Sequence, residues 1–289
     1  MSGVTVCAVR VSFFGVRGSC PCAGEEYRRT GGNTSCVLVS LPGEPPLVLD
    51  LGTGLRALGD ALETTTRRLG APVQANALLT HLHFDHILGL PFFAPLQDPG
   101  ARLAVFGPAQ GELGLHKTLS EAVQPPFFPV EIAEFNGEVV ATEVDDCDFE
   151  LGAFSVRARR VPHPGATLGY RIEANGAAVA YLPDHQAPLD RREVPDAVME
   201  LCEGADLVVH DAQYTDEEFA AKPAWGHSTF AYAVRVAAEC GARRLALFHH
   251  DPWHTDRDLV HILRRARRLP EAAKIPDLSL AAEGMTVEL

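Results

Sequence analysis

Residues 78–90 read LLTHLHFDHILGL, an apolar run that gives way to three histidines and an aspartate, His81, His83, Asp85 and His86, within six positions. Such groups lose hydration as they approach a core and need a partner that offsets the loss. A metal ion is such a partner. On an extended segment side chains alternate, so His81 and His83 face the same way and both imidazoles can reach one cation. Asp85 and His86 follow where the chain turns toward ILGL, which aims them at a second position beside the first. Two imidazoles with further ligands suit Zn²⁺ or another borderline divalent metal.

The whole chain limits what this cluster can serve. Its 289 residues, 46% hydrophobic and 22% charged, have the composition of a folded soluble protein. That length accommodates two ordinary domains or one large layered domain, and no Ser- or Gly-rich linker marks a boundary, so one domain over residues 1–289 is expected. The formal net charge of −13 repels polyanions and argues against a nucleic-acid polymer as partner. No run approaches the roughly 18 to 20 apolar residues of a membrane span. Arg10 and Arg17 interrupt the apolar residues near the N-terminus, which reads as a first strand rather than a signal peptide. Seven cysteines without a repeated CxxC fit reduced thiols in a cytoplasm. Cys20 and Cys22 in SCPC stand closer together than paired zinc ligands usually do, so a structural role is expected. The composition leaves a homodimer open.

Strands are expected at VRVSFFGV, SCVLVSL, PLVLD, NALLT, RLAVFG, FSVRARRV, LGYRI, AAVAYL, DLVVH and RLALFH, several too uniformly apolar to have an exposed face. Helices are expected over Leu55–Leu69, Leu189–Cys202, Thr229–Cys240 and Asp256–Arg268; Gly241 stops the third, and Thr255 with Asp258 forms a capping box for the fourth. Strands mixed with helices throughout imply a layered α/β fold. The loop VQPPFFPV, residues 123–130, displays Phe127 and Phe128 on a rigid proline frame. The glycines of LVLDLGTG read as a tight turn rather than a phosphate loop.

HLHFDH resembles the HxHxDH signature of the metallo-β-lactamase superfamily, and further motifs of that family follow in order. VPHPG supplies His163, AYLPDH supplies Asp184, and LALFHHDP supplies His249. The resemblance implies an αββα sandwich of two mixed sheets flanked by helices. It also implies two divalent ions, Zn²⁺ or else Mn²⁺ or Fe²⁺, one on His81, His83 and His163, the other on Asp85, His86 and His249, with Asp184 bridging. His250 adjoins His249 and competes with it for the last position; His185 beside Asp184 is not expected to bind metal. Asp50, ending PLVLD, is expected to orient a ligand rather than to ligate.

Two ions a few ångströms apart can share a water and lower its pKa toward neutrality, so the implied activity is hydrolysis by attack of a bridging hydroxide. WGHSTF at 225–230, preceded by LVVHDAQYTDEE, is similar to the phosphodiesterase branch that includes ribonuclease Z. There the histidine of GHST, His227, assists cleavage, which makes His227 and Asp85 the catalytic candidates and Asp211 a supporting residue. Read without the family, GHST is a helix start with Ser228 capping and His227 exposed. GGNTSC places Asn33, Thr34 and Ser35 on a loop beside the site, where Arg17 can meet a phosphate. Ribonuclease Z carries a protruding tRNA-binding arm between its third histidine and bridging aspartate, and the interval from His163 to Asp184 leaves no room for one. A small diester such as a cyclic nucleotide is therefore expected, with Phe127 and Phe128 as a base-stacking surface. Three other readings stand beside it: a thioester or lactam hydrolase, against which GHST argues; a ribonuclease Z-like nuclease, against which the missing arm argues; and an inactive metal-binding protein, against which the filled ligand positions argue.

Overall fold

The computed structural model describes residues 8–190 and 193–289. Cys7 and residues 191–192 of the expected helix over 189–202 lie outside them. The first half of the chain lays down β1 (Arg10–Gly15), β2 (Cys36–Ser40), β3 (Leu47–Leu49), β4 (Gln74–Leu78), β5 (Arg102–Gly107) and β6 (Glu138–Glu143). The second half lays down β7 (Cys147–Leu151), β8 (Phe154–Arg160), β9 (Leu168–Ala174), β10 (Ala177–Leu182), β11 (Leu207–Asp211), β12 (Arg244–Phe248) and β13 (Asp277–Leu280). The final strand, β14 (Thr286–Glu288), returns to the first sheet, whose order is β14-β1-β2-β3-β4-β5-β6; the second is β13-β12-β11-β10-β9-β8-β7. Both sheets are mixed. β3 through β6 and β10 through β13 run parallel, and the remaining pairings are antiparallel.

The apolar runs are continuous because these strands are covered on both faces. In β12, Ala246 and Phe248 enter the core between the sheets while Leu245 and Leu247 face the outer helices. β10 divides likewise, Val179 and Tyr181 inward, Ala180 and Leu182 outward. Four helices pack on the sheets: α1 (Leu55–Leu69) and α3 (Gly114–Ala122) with the first, α4 (Asp196–Cys202) and α6 (Phe230–Glu239) with the second. α7 (Asp256–Ala266) joins the second set through Leu259, Ile262 and Ala266, spaced for one helical face. The result is four layers, helix, sheet, sheet, helix. Two shorter helices, α2 (Phe84–Ile87) and α5 (Asp216–Ala221), lie in connections.

The capping box of α7 forms as its sequence suggests, Thr255 accepting from the Asp258 amide and Asp258 from the Thr255 amide. The helix expected over Leu189–Cys202 starts only at Asp196, with Pro195 as its N-cap. Proline disfavours helical geometry in the residue before it and so sets the boundary there. β6, β7, β13 and β14, absent from the expected strands, are the four edges of the two sheets. An edge needs little apolar surface and is commonly blunted with charge, as in CDFEL and EVVATE.

Phe154, on β8 and 1% exposed, fills the core between the sheets. Phe154→Ala is expected to lower unfolding free energy by about 3–5 kcal/mol, and removing the cap of α7 with Thr255→Ala by about 1 kcal/mol. Denaturant midpoints measured on both variants check the ordering.

Candidate metal centre and active site

Parallel strands of both sheets end on one rim, and the chemistry of the chain collects there. Asp50 follows β3, His81 follows β4 by three residues, Asp184 follows β10 by two, Asp211 ends β11 and His249 follows β12 directly; His163 comes from the loop after antiparallel β8. The carboxyl ends of strands are the usual ligand-binding edge of an α/β sheet. His83 is the extended N-cap of α2, and that single helical turn swings Asp85 and His86 inward. Asp50, His249 and Ser19 are three of the four described non-glycine residues with positive φ, at 60°, 57° and 61°. Such backbone persists where surrounding contacts hold it, and it concentrates at functional sites.

The side chains form two groups that share Asp184. Ligand atoms of His81, His83 and His163 lie within 4.8 Å of one another, as do those of Asp85, His86 and His249. Asp184 Oδ1 lies 4.0 Å from His81 Nε2 and 3.7 Å from His163 Nε2; Oδ2 lies 2.9 Å from His86 Nε2 and 3.2 Å from His249 Nε2. One carboxylate therefore faces each group with a different oxygen.

Hydrogen bonds on the far side of each ring fix which nitrogen remains available. His86 donates from Nδ1 to Asp50 Oδ2 at 2.8 Å, His249 from Nδ1 to Gln213 Oε1 at 2.8 Å, and His163 from Nδ1 to the Gly226 carbonyl at 2.7 Å. The Thr80 hydroxyl donates to Asp50, so it accepts from His81 Nδ1 at 3.1 Å. In all four rings Nε2 is left with its lone pair toward the centre. Asp50, wholly buried, also accepts from the Thr80 amide at 2.8 Å and the Tyr181 hydroxyl at 2.9 Å. Among the described residues His86 is the one candidate ligand that the Asp50 side chain hydrogen-bonds.

The donor set fits a divalent cation. His81 Nε2, His86 Nε2 and Asp184 Oδ2 are buried without a hydrogen-bond partner, an arrangement that costs free energy unless something else meets those atoms. Burial alone would keep His86 neutral, yet Asp85, Asp184 and Asp50 outweigh it and raise its pKa well above the ordinary imidazole value. Burial alone would raise the Asp184 carboxyl, but His249, His86 and His81 hold it well below the usual carboxylate range. The cluster thus calls for positive charge at its centre, which a proton or a cation can provide.

Beside this centre His227 Nδ1 donates to Asp211 Oδ2 at 3.0 Å, and Asp211 also accepts from the amides of Gln213 at 3.0 Å and His185 at 3.2 Å. Burial disfavours the charged form of His227, but Asp211, Asp184 and Asp85 overcome this and raise its pKa. Every residue of GHST has a task. A Cβ on Gly226 (φ 94°) would lie 2.6 Å from the His163 ring, Ser228 donates to the His185 carbonyl, and Thr229 caps α6. The cap is therefore Thr229 rather than Ser228, and His227 is buried. A cavity of about 350 Å³ opens over the centre, lined by Ser19, Leu82, His83, Phe84, Asp85, Asp184 and His227.

Several expected residues lie elsewhere. Arg17 is fully buried, spends its guanidinium on the carbonyls of Gly31, Asp251 and His254 and on Thr30 Oγ1, and does not line the cavity. Asn33 is held by Glu283 through both its amide and its side chain. Phe127 is 82% exposed and Phe128 packs edge-on to Phe92; neither lines the cavity. The Gly52 and Gly54 amides bond to the Ser35 and Thr34 carbonyls, which leaves a tight turn and no phosphate loop. His250 turns back to the Ala281 carbonyl, where burial depresses its pKa to about 3, so His249 alone faces the centre. His185 pairs with His210 behind the site. Cys20 and Cys22 are free thiols, and Cys22 Sγ donates to the Pro252 carbonyl. Ser19, whose amide donates to Asp85 Oδ2 at 2.7 Å, Gln213, Leu82 and Phe84 went unpredicted, since no spacing in the sequence marks them.

Residues 47–250 match the family described as the beta-lactamase superfamily domain. An uncharacterized protein of Mycobacterium tuberculosis is 30% identical over 89% of this chain and 86% of its own length. Ribonuclease Z of Natronomonas pharaonis is 27% identical over 84% of this chain and 87% of its own. The metallo-β-lactamase fold protein YhfI from Bacillus subtilis superposes with a TM-score of 0.71 at 19% identity, over 98% of this chain and 100% of that one. The chain belongs to the metallo-β-lactamase superfamily. It is a metal-dependent hydrolase.

If Asp50 fixes His86 and the strand-end turn, Asp50→Asn will weaken metal binding about 10–100-fold with the fold intact. Competition against a chromophoric chelator reads the affinity, and circular dichroism the fold.

Proposed function

We propose that the protein hydrolyses a small phosphodiester, such as a cyclic nucleotide, at a dinuclear metal centre. In this reading His81, His83 and His163 would hold one ion and Asp85, His86 and His249 the other, with Asp184 between the two groups. Two divalent ions, Zn²⁺ or else Mn²⁺ or Fe²⁺, supply Lewis acidity and an activated water when bound.

The observation that carries the reading is the Asp211–His227 pair at the cavity wall. Asp211 accepts a hydrogen bond from Nδ1–H and fixes the ring, which leaves His227 Nε2 free to act on a substrate in the cavity. The adjoining carboxylate favours the imidazolium, the form that can donate to the oxygen leaving phosphorus as the P–O bond breaks. Asp85, which lines the same cavity, is the acceptor that orients the attacking water. Hydrolysis of a thioester has less need of such an acid, because a thiolate leaves without first taking a proton.

Support for a small substrate comes from the interval between His163 and Asp184. It is filled by β9 and β10, joined at Asn175 and Gly176, with no projecting arm. A cavity of about 350 Å³ suits a mononucleotide-sized ligand, and the net charge of −13 disfavours an RNA polymer. The described cysteines are free thiols, in keeping with a reducing cytoplasm, and the return of β14 to the first sheet favours one domain over 1–289.

Metal analysis with steady-state turnover of 3′,5′-cyclic AMP and bis(p-nitrophenyl) phosphate tests the proposal. His83→Ala and Asp184→Ala are expected to abolish turnover, whereas His227→Ala lowers kcat about 10²–10⁴-fold with metal content unchanged. Full activity in Asp184→Ala, or faster turnover of an acyl thioester than of either diester, would overturn it.

A further inference from the structure

Phe84 occupies the variable position of HLHFDH, where metal binding asks nothing of the side chain. The other three residues of α2, Asp85, His86 and Ile87, are buried. Phe84 instead stands 67% exposed and lines the cavity together with Leu82. A phenylalanine side chain can bury 150–250 Å² of surface, roughly, so leaving one open to water forgoes a large stabilisation.

The cavity therefore has two unlike sides. His83, Asp85, Asp184, His227 and Ser19 are polar or charged and suit a phosphoryl group; Leu82 and Phe84 are apolar, and Phe84 adds a flat ring. A ligand that matches both sides carries a phosphate next to a planar apolar group. Resting on the phosphodiesterase reading above, we infer that Phe84 is the base-stacking wall of this site and selects nucleotide diesters over base-free ones. The other exposed aromatic side chains among the described residues do not compete for the role, because Phe92, Phe127, Trp225 and Trp253 lie outside the cavity lining. Ring-on-base stacking is tolerant of base identity, so the selection is for a nucleobase as such rather than for one base.

The test compares adenosine 5′-monophosphate with ribose 5-phosphate, which share the phosphate and sugar and differ by the base. Binding of each to the metal-loaded full-length protein is measured by calorimetry. Each is also measured as a competitor of bis(p-nitrophenyl) phosphate hydrolysis. The wild type is expected to bind the adenosine compound about tenfold more tightly, a ratio within the usual worth of one stacked base. In Phe84→Ala the ratio falls to about one, in Phe84→Trp it is kept, and in both variants ribose 5-phosphate affinity and metal content stay unchanged. Equal affinities in the wild type, or a ratio that survives Phe84→Ala, would overturn the inference. Because the ratio is read by binding, a wild type that shows it yet turns over no diester would sink the reaction assignment while supporting the Phe84 wall.

Discussion

Asp50 has no exposed surface, yet both sheets and the candidate metal centre meet at its carboxylate. It follows β3 of the first sheet, receives the amide and hydroxyl of Thr80 beyond β4, and takes a hydrogen bond from Tyr181 on β10 of the second sheet. His86 donates to it as well. A buried carboxylate is stable only when such donors replace its lost water. The demand is mutual, because the Tyr181 hydroxyl is equally buried and has this acceptor. One desolvated group thus sets the spacing between the two sheets at the rim where the ligands must converge. The left-handed backbone at Asp50 is the cost of aiming its oxygens there rather than along the strand.

The same principle explains why the ligands were legible in the sequence and their neighbours were not. His81, His83, Asp85 and His86 crowd into one short segment because a strand end and a single helical turn deliver them together, and this leaves a pattern in the chain. Interior strands are legible for a related reason: a strand covered on both faces must be apolar throughout. The four edge strands carry no such constraint and read as polar loops. Arg17 shows the limit of reasoning from residue type. Its charge and its place near the site suggested a phosphate contact, but its direction is set by carbonyls of Gly31, Asp251 and His254 on remote segments. His249 and His250 are distinguished only by backbone geometry, since the left-handed turn at His249 sends the next side chain back toward Ala281. Phe84 is hidden differently, as an apolar residue inside a motif whose other positions attract the attention.

Glycines complete the packing of the centre. Gly226 lets its loop approach the His163 ring and offers that ring a carbonyl, while a side chain at Gly18 would run into His249 and Gln213. His163 is thus held from behind by a backbone carbonyl, and His249 by the Gln213 side chain with the Gly18 backbone packed close against its ring. Lys222 fastens the same region, its ammonium lying over the rings of Tyr214 and Trp225 and 3.7 Å from Asp251. Precision at the metal-facing nitrogens rests on these supports as much as on the histidines.

Arg17 also bears on the order in which the protein can be made. Its guanidinium bridges Gly31 to Asp251 and His254, and β1 is flanked by β14 from the other extreme of the chain. Synthesis runs from the N-terminus, and on the ribosome early segments collapse first. HLHFDH therefore emerges long before His249, and Arg17 likewise precedes the carbonyls that seat it by more than two hundred residues. His81, His83, His163 and Asp184 all precede His249 in the chain, so of the two candidate groups the one that includes His249 is completed last.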